Sequence, residues 1–283
     1  MNLILNNTPV HISNEKLSRL DILNVDMQSQ KSPWLHTFKT CKQAKIKLYC
    51  FAYAGGNANI FSKWPNVFGD DVEVCAISLP GRWERMNEPS ITCMNNLCWE
   101  IANAVLAESK IPFVFFGHSM GAILLFEVAR QLRKQGAMTP EHLFVSGAQA
   151  PHTLNEPGVS RRKKICDMDD DELMGYLQLL SGTPSELLQD REMREYVIKI
   201  MTPDLQAIDG WQYRQTKPLT QNISVFVGDK DPVIDLAAAR AWKQHTLNNC
   251  ELNVIVGDHF FIHSQFNLLT SKIKRILELE TLI

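Results

Sequence analysis

Residues 112–136 read PFVFFGHSMGAILLFEVARQLRKQG. The opening PFVFF is a short continuous apolar run, as expected of a strand covered on both faces. Further on, Leu125, Val128, Ala129 and Leu132 recur at i, i+3, i+4 and i+7, the spacing of a helix with one buried face. Gly136 is a natural helix stop. Between strand and helix stand Gly117-His118-Ser119-Met120-Gly121. A serine carried on a tight strand-to-helix turn projects its oxygen beyond the end of a sheet. The backbone there is strained, and the flanking glycines remove clashes around it. Three fixed residues at roughly 7% frequency each would arise by chance in about one chain in ten of this length, so the setting carries the argument.

Outward from this stretch, strands are expected within 45–54 (KIKLYCFAYA), 72–79 (VEVCAISL), 142–148 (HLFVSGA), 223–229 (ISVFVGD) and 252–258 (LNVIVGD). Helical patterns occupy 94–109, 236–246 and 265–279, with a helix or turn region at 57–68. Strands alternating with helices imply a mainly parallel sheet with helices on both faces, an α/β fold. Residues 153–215 break this rhythm: helical in pattern, with no strand of their own, they read as an insertion over the sheet's carboxyl edge, a lid. The two domains expected are an N-terminal extension, 1–33, with a short helix candidate at 15–25, and a hydrolase domain, 34–283.

A serine hydroxyl is a poor nucleophile until a base takes its proton. In the α/β-hydrolase arrangement an acid and then a histidine follow the serine along the chain. Two strand ends supply them. The first carries Asp229 and Asp231, and the second carries Asp258, His259 and His263. His259, just after its strand, is the expected base, with His263 a packing or surface residue. Asp231, deeper in its loop and just before Pro232, is the expected acid, with Asp229 the alternative. The backbone N–H of Met120 points toward the developing oxyanion from the helix N-terminus. A second donor is expected from the small-residue loop Tyr53–Ala58, with Ala54 preferred over Tyr53 and Gly55. His259 and His263 have metal-ligand spacing, but the glutamate of HExxH and a third ligand are absent, so no metal is expected.

Composition bounds the surroundings. The formal net charge of −2 supplies no basic field for nucleic acid or for anionic membranes. The start of the chain does not read as a secretory signal, and no apolar stretch approaches the roughly 20 residues that span a bilayer. The seven cysteines are odd in number, without a Cys-x-x-Cys pair, and several lie in apolar runs. Buried free thiols in a reducing compartment explain them, which makes the expected location cytoplasmic.

With these residues in place, the chain resembles the stand-alone type II thioesterases that accompany nonribosomal peptide and polyketide synthases in secondary-metabolite biosynthesis. The matching pieces are CFAYAGG, ISLPGRWER, FGHSMGA, LLSGTPSELL, GDKDPV and GDHFFI, in the family's order and spanning Trp34 to the end. Two departures stand out: Ala52-Tyr53, where the family has Pro-His or Pro-Phe, and Gly257-Asp258-His259, where it has Gly-Gly-His. The resemblance implies hydrolysis of acyl thioesters on the phosphopantetheine arm of carrier proteins. It implies Ser119, Asp231 and His259 as the triad and Met120 with the Ala54 loop as the oxyanion hole. No cofactor beyond the substrate's own arm is implied, and a monomer is expected. Arg82 and Arg85 fall in the family's Pro-Gly-Arg segment, as a phosphate contact or as loop anchors. Arg161, Arg162, Lys163 and Lys164 form a basic run that would either meet an acidic carrier protein or be a solvated turn. The same triad would serve a general esterase or lipase acting on free esters, and a noncatalytic binding scaffold is the third reading.

Overall fold

The computed structural model describes residues 32–155, 163–164, 167–179 and 190–283. The helix candidate at 15–25, the LSGTPSELL part of the fourth matching piece, and Arg161 and Arg162 lie outside the described residues.

Seven strands form one sheet: β1 (Leu35–Thr37), β2 (Ile46–Phe51), β3 (Val72–Ile77), β4 (Phe113–His118), β5 (His142–Ser146), β6 (Asn222–Gly228) and β7 (Cys250–Ile255). Their spatial order is β1-β3-β2-β4-β5-β6-β7. Every pairing is parallel except that of β1, which runs antiparallel to β3 in the register Leu35 to Ile77. This edge strand was not foreseen, because three residues are too few to show a period.

Among the described residues the α-helices are α1 (Pro65–Phe68), α2 (Met94–Glu108), α3 (Met120–Lys134), α4 (Asp170–Leu179), α5 (Arg191–Gly210), α6 (Leu236–Arg240), α7 (Phe261–Ser264) and α8 (Phe266–Leu279). Alternation along the strands divides the core in two. Tyr49, Phe51, Phe113 and Phe115 point to one face and meet α2 and α3 through Leu97, Ile101, Leu125 and Leu132. Ile46, Leu48, Val114 and Phe116 point to the other and meet α1 and α8 through Phe68, Leu269, Ile273 and Leu277. Covering both faces explains why these strands read as unbroken apolar runs.

The topology also selects a place for a site. The β2–β3 connection packs α1 on one face, and the β3–β4 connection packs α2 on the other. The winding therefore reverses between β2 and β4, and ligands of open α/β sheets bind at the carboxyl ends flanking such a reversal. There the 53–56 loop leaves β2 and Ser119 leaves β4. The section between β5 and β6 contains α4 and α5, which share an apolar cluster of Leu173, Met174, Leu177, Met201 and Leu205. Helix α5 runs through Pro203. Among the described residues, no helix is long and apolar enough to cross a membrane.

Candidate active site

Ser119 occupies the turn between β4 and α3 with φ 54° and ψ −117°, a conformation that a non-glycine residue holds only when its surroundings impose it. The glycines show what imposes it. A Cβ on Gly121 would lie 2.2 Å from the Phe51 carbonyl oxygen, and one on Gly117 would lie 2.3 Å from the Gly121 carbonyl oxygen. The start of α3 is thus pressed against the end of β2, and the Ser119 N–H donates to the Ser146 carbonyl at 2.8 Å.

The loops after β6 and β7 bring in the other two residues. The Ser119 hydroxyl donates to His259 Nε2 at 3.1 Å, and His259 Nδ1–H donates to the Asp231 carboxylate Oδ2 at 2.7 Å. Both partner side chains are buried, at 3% and 0% exposure, so water does not compete for the contact. The other Asp231 oxygen accepts the N–H groups of Val233 and Ile234 at 3.0 and 3.1 Å, which fixes the carboxylate plane. Asp229 is employed differently: it accepts the Gly257 N–H at 2.8 Å and laces the two loops together. Asp258, at the departure from Gly-Gly-His, accepts the Phe260 N–H at 2.8 Å and turns the chain into α7.

Met120 lies in the first turn of α3, where backbone N–H groups have no acceptor within the helix. Of the three residues considered for the second donor, Gly55 is committed, since its N–H donates to Asp204 at 2.7 Å. Tyr53 and Ala54 remain, and Tyr53 is held by its side chain, whose hydroxyl is hydrogen-bonded with His263 Nε2 at 2.8 Å. His263 is therefore a loop tie, and burial lowers its pKa.

Two parts of the site were missed in the sequence. His118, the variable residue of the pentapeptide, is fully buried, and burial holds its pKa well below 6.5. Its Nε2–H donates to the His259 carbonyl at 2.9 Å, and its Nδ1 accepts the Ser146 hydroxyl at 2.8 Å. Asp204, on α5, pairs with Arg82 through both oxygens, at 2.5 and 2.6 Å. The signals were a histidine inside an apolar run and a carboxylate on the apolar stripe between Met201 and Leu205. Arg85 is also a loop anchor, donating to the Ser78 carbonyl at 2.6 Å and pairing with Glu88. Lys163 of the basic run pairs with Glu172 at 2.6 Å.

Residues 46–277 match the Thioesterase domain family. The chain belongs to that family, as a type II thioesterase of the α/β-hydrolase fold. The thioesterase is 38% identical over 251 residues to linear gramicidin dehydrogenase LgrE of Brevibacillus parabrevis, covering 87% of this chain and 93% of the relative. It is 32% identical to gramicidin S biosynthesis protein GrsT of Aneurinibacillus migulanus, covering 88% and 95%. Among solved structures it resembles the type II thioesterase BorB from the borrelidin biosynthetic cluster, with 27% identity, a TM-score of 0.77, and coverage of 87% and 98%. The first relative's name speaks of a dehydrogenase, but the glycine loop of the thioesterase after β2 reads AYAGGNA, without the G-x-G-x-x-G of a dinucleotide fold.

Proposed function

We propose that this thioesterase hydrolyses acyl groups held as thioesters on the phosphopantetheine arm of carrier proteins in a nonribosomal peptide or polyketide synthase, through a Ser119–His259–Asp231 triad. The observation that carries the reading is the continuous hydrogen-bond chain from the Ser119 hydroxyl through both ring nitrogens of His259 to the buried Asp231. Relatives named for gramicidin biosynthesis support the pathway.

In this mechanism His259 Nε2 takes the Ser119 proton as Oγ attacks the thioester carbonyl carbon. Asp231 holds the imidazole in the Nδ1–H tautomer and stabilises the imidazolium that forms. The N–H groups of Met120 and Ala54 stabilise the tetrahedral oxyanion. Its collapse breaks the C–S bond, and His259 returns the proton to the departing sulfur. A thiol, with a pKa of about 8.5, departs far more readily than an alcohol or an amine. Water, giving its proton to His259, attacks the acyl-serine, and collapse of the second intermediate frees the acid and restores Ser119. Water is the only co-reactant. The insertion carrying α4 and α5 serves as a lid. The described cysteines are free, which suits work in the cytoplasm.

The test compares acetyl- and hexanoyl-loaded carrier protein with a matched free ester, using wild type and Ser119→Ala. A strong Ser119-dependent preference for the carrier-bound thioester is the expected result. Equal or faster turnover of the free ester would make the protein a general esterase, and turnover unaffected by Ser119→Ala would overturn the triad.

A further inference from the structure

Asp204 and Arg82 form a bidentate ion pair, buried to 1% and 4% exposure, at the junction of three segments. Asp204 belongs to α5 of the insertion. Arg82 belongs to the loop after β3. The third segment is the 53–56 loop after β2, held from both sides. Asp204 Oδ2 accepts the Gly55 N–H at 2.7 Å, and Arg82 Nη1 donates to the Gly56 carbonyl at 3.2 Å. One turn earlier on α5, Met201 lies on Gly55: a Cβ there would come within 2.2 Å of Met201 Sδ. Gly55 has φ +75°, so the peptide after Ala54 is bent into a conformation that favours glycine. Ala54 itself packs against the α4–α5 cluster.

We propose that Asp204 is a positioning residue: from the insertion helix it fixes the peptide unit that follows Ala54, so that the oxyanion site is completed only when α5 is seated on the loop. This rests on the thioesterase reading above and on Ala54 as second donor. A loop of small residues has many backbone states, and a donor contributes only where its N–H meets the developing oxyanion. Asp204 and Arg82 select one state by taking the Gly55 N–H and the Gly56 carbonyl on either side. The two charges of the ion pair neutralise each other at hydrogen-bond distance. Its influence on the reaction therefore runs through loop geometry rather than through a field at the reacting atoms. Seating of the insertion and competence for acylation become one event.

The experiment measures kcat and KM on acyl-loaded carrier protein for wild type, Asp204→Ala, Asp204→Asn and Met201→Ala, with circular dichroism reporting the folded fraction. The affinity of an acyl trifluoromethyl ketone, which forms a tetrahedral adduct on the serine, is measured for each. Asp204→Ala should lower kcat about tenfold or more, up to the roughly 100- to 1,000-fold cost of losing one oxyanion donor outright, with KM changed less than about threefold. Ketone affinity should fall by the same factor. Asp204→Asn keeps an acceptor for the Gly55 N–H and should recover much of the loss. A folded Asp204→Ala enzyme with unchanged kcat, or with only KM altered, would overturn the proposal. If Asp204→Ala does not fold, Met201→Ala, which removes the side chain of α5 seated on Gly55, decides it: parallel losses in kcat and ketone affinity support it, and wild-type values in both overturn it. If wild type itself does not turn over the thioester, the functional reading fails. Asp204 is then judged by the rate at which a fluorophosphonate labels Ser119, which should fall in Asp204→Ala and would overturn the proposal if unchanged.

Discussion

The Nε2–H of His118 donates to the backbone carbonyl of His259 at 2.9 Å, so the residue beside the serine holds the main chain of the residue that would activate it. The His118 ring is pinned on its far side by the Ser146 hydroxyl, and a Cβ on Gly147 would lie 2.7 Å from its Cε1. Burial keeps the ring neutral, which leaves Nδ1 free to accept and Nε2 to donate. His118→Phe fills the same space without either bond. It should lower kcat about tenfold through a displaced His259 while KM stays nearly constant. Steady-state kinetics on the folded variant check this, and an unchanged kcat would reduce His118 to a core residue.

A second serine–histidine–carboxylate chain exists in the molecule and should be inert. The Ser224 hydroxyl donates to His142 Nε2 at 2.9 Å, and His142 Nδ1–H donates to Glu280 at 2.8 Å. The distances match those of the Ser119 chain, but Ser224 lies within β6, 3% exposed, with no helix N-terminus behind it. Buried in the strand, its hydroxyl is closed to a substrate carbonyl. A fluorophosphonate should label wild type once and Ser119→Ala not at all, as read by intact-protein mass. A surviving adduct at Ser224 would mean that distances alone make a nucleophile here.

Stability should fall as the solution is acidified below about pH 6.5, the ordinary histidine value. Burial, and then the neighbouring His152, lower the His245 pKa to about 4, and burial drives His118 well below 6.5. Between each folded value and 6.5, the unfolded chain binds a proton that the folded chain refuses. Folding therefore weakens as pH drops through that window, and for His245 the loss levels off below about 4. Thermal melts at pH 7.5, 6 and 5 should show a declining Tm. His245→Phe should lose roughly 2–4 °C less than wild type across the range. Equal losses in the two proteins would mean that His245 does not carry the effect.

What could be read in advance was what local pattern determines. The unbroken run PFVFF and the stripe Leu125, Val128, Ala129, Leu132 each reflect a single element packed on a continuous apolar surface, and both lie where expected. That Ser119, Asp231 and His259 come together could be expected because the strands of a parallel sheet deliver their carboxyl ends to one edge. His118 and Asp204 could not be read, since their partners lie 141 and 122 residues away and only tertiary folding sets those distances. Ala54 was preferred to Gly55 from the sequence, but what excludes Gly55 was hidden for the same reason: its N–H is taken by a carboxylate 149 residues further on.

Two glycines that look alike in sequence should respond very differently to alanine. Gly136 ends α3 with φ +64° and has nothing within 4 Å of an added Cβ. Gly136→Ala therefore costs only left-handed strain, about 1–2 kcal/mol, and should leave kcat unchanged. Gly121 is the second residue of the same helix, where an added Cβ would meet the carbonyl oxygens of Phe51 at 2.2 Å and Ala52 at 2.7 Å. Those atoms are backbone at the end of a central strand, without a flexible side chain to move aside. Gly121→Ala must push α3 off β2, which moves Ser119 relative to His259 and opens the gap to the Ala54 loop. It should destabilise by about 3 kcal/mol, the upper end of overpacking costs, and abolish measurable turnover even in the folded fraction. Urea unfolding and carrier-thioester kinetics on the two variants separate the effects. A Gly121→Ala protein as stable and active as Gly136→Ala would show that the contact between helix start and strand end does not set the geometry of the serine.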